Sequence, residues 1–218
     1  MKFYPLVFIL LAVSMPFTGS AQDPSRFKDE VEAIQKKYDT AFDRSDETIV
    51  FTGSSSIRMW QDLQERFPQH RIVNTGFGGS QASDLSFYIY DLILRFHPKK
   101  VFIYEGDNDL FAKKKSDAII KDLKQIINAI HRNDSTTQVV LLPAKPSIAR
   151  WNLRSKYMRL NRKMERLAED NPAVEYANIW DPMLDGREVK QDIFIDDGLH
   201  MNAKGYDIWQ NVLRPFVN

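Results

Sequence analysis

The chain has 218 residues, 30 Lys+Arg against 29 Asp+Glu, 43% apolar residues and no cysteine. A formal charge of +1 leaves no basic excess to neutralise a phosphate backbone, which argues against nucleic acid as a partner. The absence of cysteine excludes disulfide scaffolds, thiolate metal sites, a cysteine nucleophile and a lipid anchor on an N-terminal cysteine.

The first segment reads as an address. Lys2 precedes an apolar run from Phe3 to Phe17, and small residues lead to a cleavage point after Ala21. Residues 1–21 are therefore expected to be a secretory signal peptide, and residues 22–218 an exported domain, periplasmic or extracellular. Pro5 and Pro16 bracket the apolar run and leave it short for a membrane span, so no stable membrane insertion is expected after cleavage.

From there helical and strand patterns alternate. Phe27, Val31, Ile34, Tyr38, Ala41 and Phe42 recur at helical spacing. Ile49–Thr52 and Arg71–Asn74 read as strands, and Asp84–Phe96 as a helix stopped near His97-Pro98. Val101–Tyr104 is a strand of the buried type, Ser116–His131 an amphipathic helix, Val139–Leu142 a fourth strand and Leu153–Ala168 a helix. Val174–Ile179 supplies a fifth strand and Lys204–Phe216 a closing helix. Lys113-Lys114-Lys115 reads as a solvated approach to the helix that follows. Strands separated by helices of this length predict a single three-layer α/β/α domain around a parallel sheet of about five strands.

In such a sheet ligands bind outside the carboxyl ends of the strands. Four polar segments lie there: Gly53-Ser54-Ser55-Ser56, Asn74 to Ser80, Gly106 to Asp109, and Asp197-Gly198-Leu199-His200. His70, His97 and His131 read as loop or helix-end residues, whereas His200 follows Asp197 by three residues in a glycine-containing turn. That spacing lets a carboxylate orient the ring, in a catalytic pair or in a merely structural hydrogen bond. The serine run suits an activated nucleophile or a helix cap, and it lacks the lysine of a phosphate-binding loop. A glycine N–H, a serine N–H and the Asn108 amide together suit stabilisation of an oxyanion.

The four segments in this order resemble the SGNH hydrolases, the GDSL-type esterases and lipases, over roughly residues 48–217. Gly53-Ser54-Ser55-Ser56 is a Gly-Ser-Ser variant of the first block and puts Ser55 at the nucleophile position. Asn74 to Ser80 places the second-block glycine at Gly79. Gly106-Asp107-Asn108-Asp109 matches Gly-x-Asn-Asp, and Asp197 with His200 matches Asp-x-x-His. The resemblance implies a flavodoxin-like SGNH fold and a Ser55–His200–Asp197 triad. It further implies an oxyanion hole of Ser55, Gly79 and Asn108, with no metal or organic cofactor. Ser54 stands where relatives carry an aspartate, so Ser54 and Ser56 are rival nucleophiles, as Asp196 is a rival of Asp197.

The implied activity is hydrolysis of carboxylic esters, with short acyl groups such as acetyl favoured because no long apolar lid segment is evident. A glycan or other small-molecule ester is the expected substrate. A lysophospholipase, or a lipid esterase like platelet-activating-factor acetylhydrolase, is the alternative within the family. A non-enzymatic carbohydrate- or anion-binding module on the same fold is the alternative outside it. Arg150 and Trp151, in the loop after the fourth strand, could bind an anion or stack on a sugar, or Trp151 could pack that loop onto the next helix.

Overall fold

All six residues of β1 (Thr48–Gly53) are buried. A strand buried on both faces needs cover above and below, and the chain supplies it with helices on each side. The computed structural model describes residues 23–39 and 47–217; the expected signal peptide and the end of the first predicted helix lie outside them. Strands β1, β2 (Arg71–Gly76), β3 (Lys100–Tyr104), β4 (Gln138–Leu142) and β5 (Val174–Tyr176) form one sheet of order β2-β1-β3-β4-β5. Every neighbouring pair is parallel.

Alternation along each strand sends side chains into two cores. Val50, Val101, Ile103, Val139 and Leu141 face one side, and Ile49, Phe51, Phe102, Val140 and Leu142 face the other. The first side is covered by α1 (Lys28–Tyr38), α4 (Ala82–Phe87), α5 (Ile89–Leu92), α7 (Ser116–Asn133) and α8 (Arg154–Glu169). The second is covered by α2 (Ser55–Arg58), α3 (Leu63–Arg66) and α9 (Ala203–Val217), through Trp60, Tyr206 and Trp209. A short helix α6 (Asp107–Phe111) follows β3, and a small hairpin of β6 (Leu184–Asp185) and β7 (Glu188–Val189) precedes α9. No helix of the described residues is long and apolar enough to cross a membrane.

The register levels the edge on which ligands are expected. Gly53 pairs with Gly76 and with Tyr104, and Tyr104 with Leu142. The turns after β1, β2, β3 and β4 therefore leave from one line, with the reversal of strand order between β1 and β3 at its centre.

Two elements depart from the sequence reading. The segment predicted as one helix over 84–96 divides into α4, α5 and a 3-10 turn at Leu94–Phe96. Tertiary contacts override its helical spacing: the Tyr88 hydroxyl donates to the Pro24 carbonyl at 3.0 Å, and Ile93 is fully buried. The fifth strand ends at Tyr176 rather than Ile179, because the Asn178 side chain accepts from the N–H groups of Trp180 (3.1 Å) and Asp181 (3.3 Å) and turns the chain.

Candidate functional site

The turn after β1 needs a glycine. Gly53 has φ +117°, and a Cβ there would lie 2.1 Å from the Tyr104 carbonyl oxygen. That closeness lets the Ser54 N–H donate to Tyr104 at 3.0 Å, tying β1 to β3 where both strands end. Ser54 is the N-cap of α2 and is buried, and its carbonyl accepts from Ile57 at 2.9 Å. Ser55 opens the helix and is half-buried, while Ser56 turns into the protein beneath Tyr206. Of the three serines, Ser55 meets an imidazole: its Oγ lies 2.9 Å from Nε2 of His200.

His200 is held from its other side. Nδ1 lies 2.5 Å from Oδ2 of Asp197. Oδ1 of the same carboxylate accepts from the N–H groups of Leu199 (2.8 Å) and His200 (2.9 Å). Partial burial pushes the Asp197 carboxyl up, but the ring and the two N–H donors outweigh it and bring the pKa down to about 2. Asp197 thus stays ionised at any ordinary pH and fixes the Nδ1–H tautomer, leaving Nε2 free to accept from Ser55. Asp197, not its neighbour Asp196, is the carboxylate on the ring.

The facing side comes from the turns after β2 and β3. Gly79 has φ +78° with open space where a Cβ would stand, so its conformation rather than crowding favours glycine. The N–H groups of Ser55 and Gly79 donate to no acceptor among the described residues. Asn108 donates one amide hydrogen to the carbonyl of Ser80 at 2.9 Å, which leaves its second available. Its Oδ1 accepts from Nη1 of Arg150 at 3.1 Å, and this sets which way round the amide sits.

Behind Asn108 lies a buried charge network. Asp107 accepts from Arg150 (2.6 Å), from the Tyr104 hydroxyl (3.1 Å) and from the Tyr157 hydroxyl. Burial alone would raise its pKa; Lys145 and Arg150 hold it below the usual carboxylate range. Lys145 is fully buried, which lowers its own pKa, and its Nζ donates to the Leu199 carbonyl at 2.7 Å while lying 3.8 Å from Asp107. Ser80 donates in turn to Glu105 at 2.7 Å, whose pKa is raised by burial and then by Asp109.

The structure brings Ser55, His200 and Asp197 into one hydrogen-bonded series and joins Asn108 to the Gly79-Ser80 turn. Arg150 points into Asp107 and Asn108, with its side chain only 11% exposed. Trp151 stacks at 6.2 Å between ring centroids on Trp180, which lies in the segment after β5 and not in the helix that follows Trp151. The sequence reading gave no part to Asp107, Lys145, Tyr157, Ser80 or Glu105. The one signal for Lys145 was a lysine between Pro143 and Pro146 just after a strand of wholly buried type. Among the described residues no group of three or more His, Asp or Glu side chains converges as a metal site.

A hydroxyl bonded to an imidazole, itself bonded to a carboxylate, can lose its proton to the ring as the oxygen attacks a carbonyl carbon. The chain is also similar to known proteins. The model of the GDSL-like lipase/acylhydrolase family matches residues 18–208. A Streptococcus pneumonia protein named for platelet activating factor is similar in structure, with TM-score 0.76 and 25% identity over 89% of this chain and 95% of that one. A GDSL-like lipase from Bacteroides thetaiotaomicron has TM-score 0.71 and 18% identity, covering 89% of this chain and 97% of its own. A carbohydrate esterase family 3 protein from Talaromyces cellulolyticus has TM-score 0.65 and 18% identity, covering 78% and 95%. Among curated proteins, an N-acylneuraminate cytidylyltransferase of Escherichia coli is 23% identical over 211 residues, 95% of this chain. The chain spans about half of that relative's length, 48%. The chain belongs to the GDSL-like lipase/acylhydrolase family, a family of carboxylic ester hydrolases.

Proposed function

We propose that the protein is a serine esterase that removes short acyl groups, acetyl foremost, from a glycan or another small-molecule ester. The observation that carries this reading is the unbroken series Ser55 Oγ, His200 Nε2, His200 Nδ1, Asp197 Oδ2, at 2.9 Å and 2.5 Å. In this reading Ser55 Oγ attacks the ester carbonyl while His200 takes its proton. The tetrahedral oxyanion accepts from the Ser55 and Gly79 N–H groups and from the second Asn108 amide hydrogen. The imidazolium, held by Asp197, then protonates the leaving alcohol as the C–O bond breaks, and a water activated by His200 releases the acid. An acyl group leaving a sugar also suits the structural likeness to a carbohydrate esterase. Action outside the cytoplasm, after loss of residues 1–21, is part of the same proposal.

The test is hydrolysis of 4-nitrophenyl acetate. Ser55→Ala should lower kcat by about six orders of magnitude while thermal unfolding stays unchanged. An organophosphonate should label Ser55 stoichiometrically. Normal turnover by Ser55→Ala would overturn the nucleophile, and a protein neither hydrolysing nor labelled would be a binding module.

A further inference from the structure

The lysine run that reads as a solvated face lines a cavity. A space of about 390 Å³ opens between the starts of α7 and α8, within the range of roughly 300–1,000 Å³ typical of small-ligand sites. Its walls carry Lys113, Lys114, Lys115, Lys156, Arg159 and Lys163 against one carboxylate, Asp117. Lys114 turns away to Asp109 (3.2 Å) and Asp122 (2.7 Å), and Lys163 pairs with Asp117. Lys113, Lys115, Lys156 and Arg159 have no ion pair among the described residues.

Four unpaired cations around one hollow repel each other, in a chain whose formal charge is only +1. A bound dianion reverses the sign of that energy. Lys113 holds φ +64°, the left-handed conformation that ends α6 and turns the chain toward α7. The turn is closed by its N–H on the Leu110 carbonyl at 3.0 Å and by the Lys114 N–H on Asp109 at 2.9 Å.

The cavity also lies toward the same end of the sheet as the site. α7 and α8 follow β3 and β4 of a parallel sheet, so both helices begin at the edge that carries Ser55 and Asn108. Leu110, part of the cavity wall, is two residues beyond Asn108 on α6, a helix only about 7.5 Å long at 1.5 Å per residue. Phe111, 61% exposed with the Arg150 guanidinium 4.3 Å above its ring, lies next along the chain.

We infer that this cavity is an anion subsite which takes a phosphate or sulfate on the non-acyl part of the ester substrate. The inference rests on the esterase reading above and narrows its substrate to esters bearing such a group. Lysine ammonium groups act there as point charges on a multivalent oxyanion, and Arg159 can meet two of its oxygens at once.

Two matched pairs of esters test it at low ionic strength: an O-acetyl hexose with and without a 6-phosphate, and monobutyroylglycerol with and without a 3-phosphate. In at least one pair the phosphate should raise kcat/KM about tenfold or more, through KM. The pair that responds tells a sugar phosphate from a lipid headgroup. The triple variant Lys113→Glu/Lys156→Glu/Arg159→Glu should lose the gain and keep wild-type turnover of 4-nitrophenyl acetate, since none of the three touches the triad. No gain in either pair, or a gain that survives in the triple variant, overturns the subsite. Calorimetric titration of inorganic pyrophosphate into Ser55→Ala protein, with and without the triple change, reads the cavity without catalysis. Binding abolished by the triple change supports the subsite even if the esterase reading falls; absence of binding to Ser55→Ala protein, or binding that the triple change leaves intact, overturns it.

Discussion

The two sides of the site are held in opposite ways. The His200 side is local and partly open to solvent: Asp197 is three residues from His200, its side chain is 42% exposed, and adjacent N–H groups clamp its carboxylate. The Asn108 side is assembled from distant parts of the chain and buried, with Asp107 gathering Arg150, Tyr157, Tyr104 and Lys145 from β3, α8 and the loop after β4. Chemistry that needs an ionised carboxylate and a freely accepting imidazole tolerates water nearby. An amide that must present a hydrogen in one direction needs a rigid support, and a satisfied buried network supplies it.

The comparison predicts which losses reach stability as well as rate. Asp197→Asn should reduce kcat for 4-nitrophenyl acetate by about four orders of magnitude, through the wrong ring tautomer, with only a small fall in unfolding temperature because the carboxylate is partly exposed. Asn108→Ala should cost about two to three orders of magnitude in kcat with KM nearly unchanged. A loss confined to KM would mean that its amide binds ground state and transition state alike. Asp107→Ala should do what neither of these does and lower stability by about 3–5 kcal/mol in urea unfolding, because Lys145 and Arg150 are left buried without their carboxylate. If Asp107→Ala unfolds like wild type, the contrast between the two sides fails.

The smallest effect concerns pH. The lowered Asp197 pKa adds stability that is complete above the ordinary carboxylate range and is lost as pH falls through about 2. Any fall in kcat between pH 4 and 7 must then arise from another group. Wild-type protein should therefore lose this contribution progressively between about pH 5 and pH 1, and Asp197→Asn should lack that part of the acid dependence; identical acid unfolding of the two proteins would show that a different carboxylate carries the acid sensitivity.

The same contrast explains what could be read from the chain alone. Strand alternation and the spacing of Asp197 and His200 are short-range patterns, so four of the five strands and the motif positions appear within a residue or two of where they lie. Arg150 is different. Its residue type says anion, but whether it meets a substrate or Asp107 depends on a partner 43 residues away, which no local pattern encodes. Lys145 is harder still, since a lysine in a loop is ordinarily solvated, and this one is buried among Leu199, Phe194 and Asp107, all distant in sequence. The short helices α2, α3 and α6 escape periodicity because four or five residues make barely one turn.

Ser55 and His200 are 145 residues apart, and on the proposed mechanism this separation sets when reactivity would appear. The β1 turn can form as soon as β1 pairs with β3, but the serine has no base until the last segments dock. That docking is secured by Tyr206 on the Ser56 carbonyl and by Trp209 against Trp60. Contacts of such long range form late in folding, after most loop-closure entropy has been spent. In the proposed mechanism an emerging or partly unfolded chain therefore carries an unremarkable alcohol at position 55, which the completed tertiary structure would turn into a reagent.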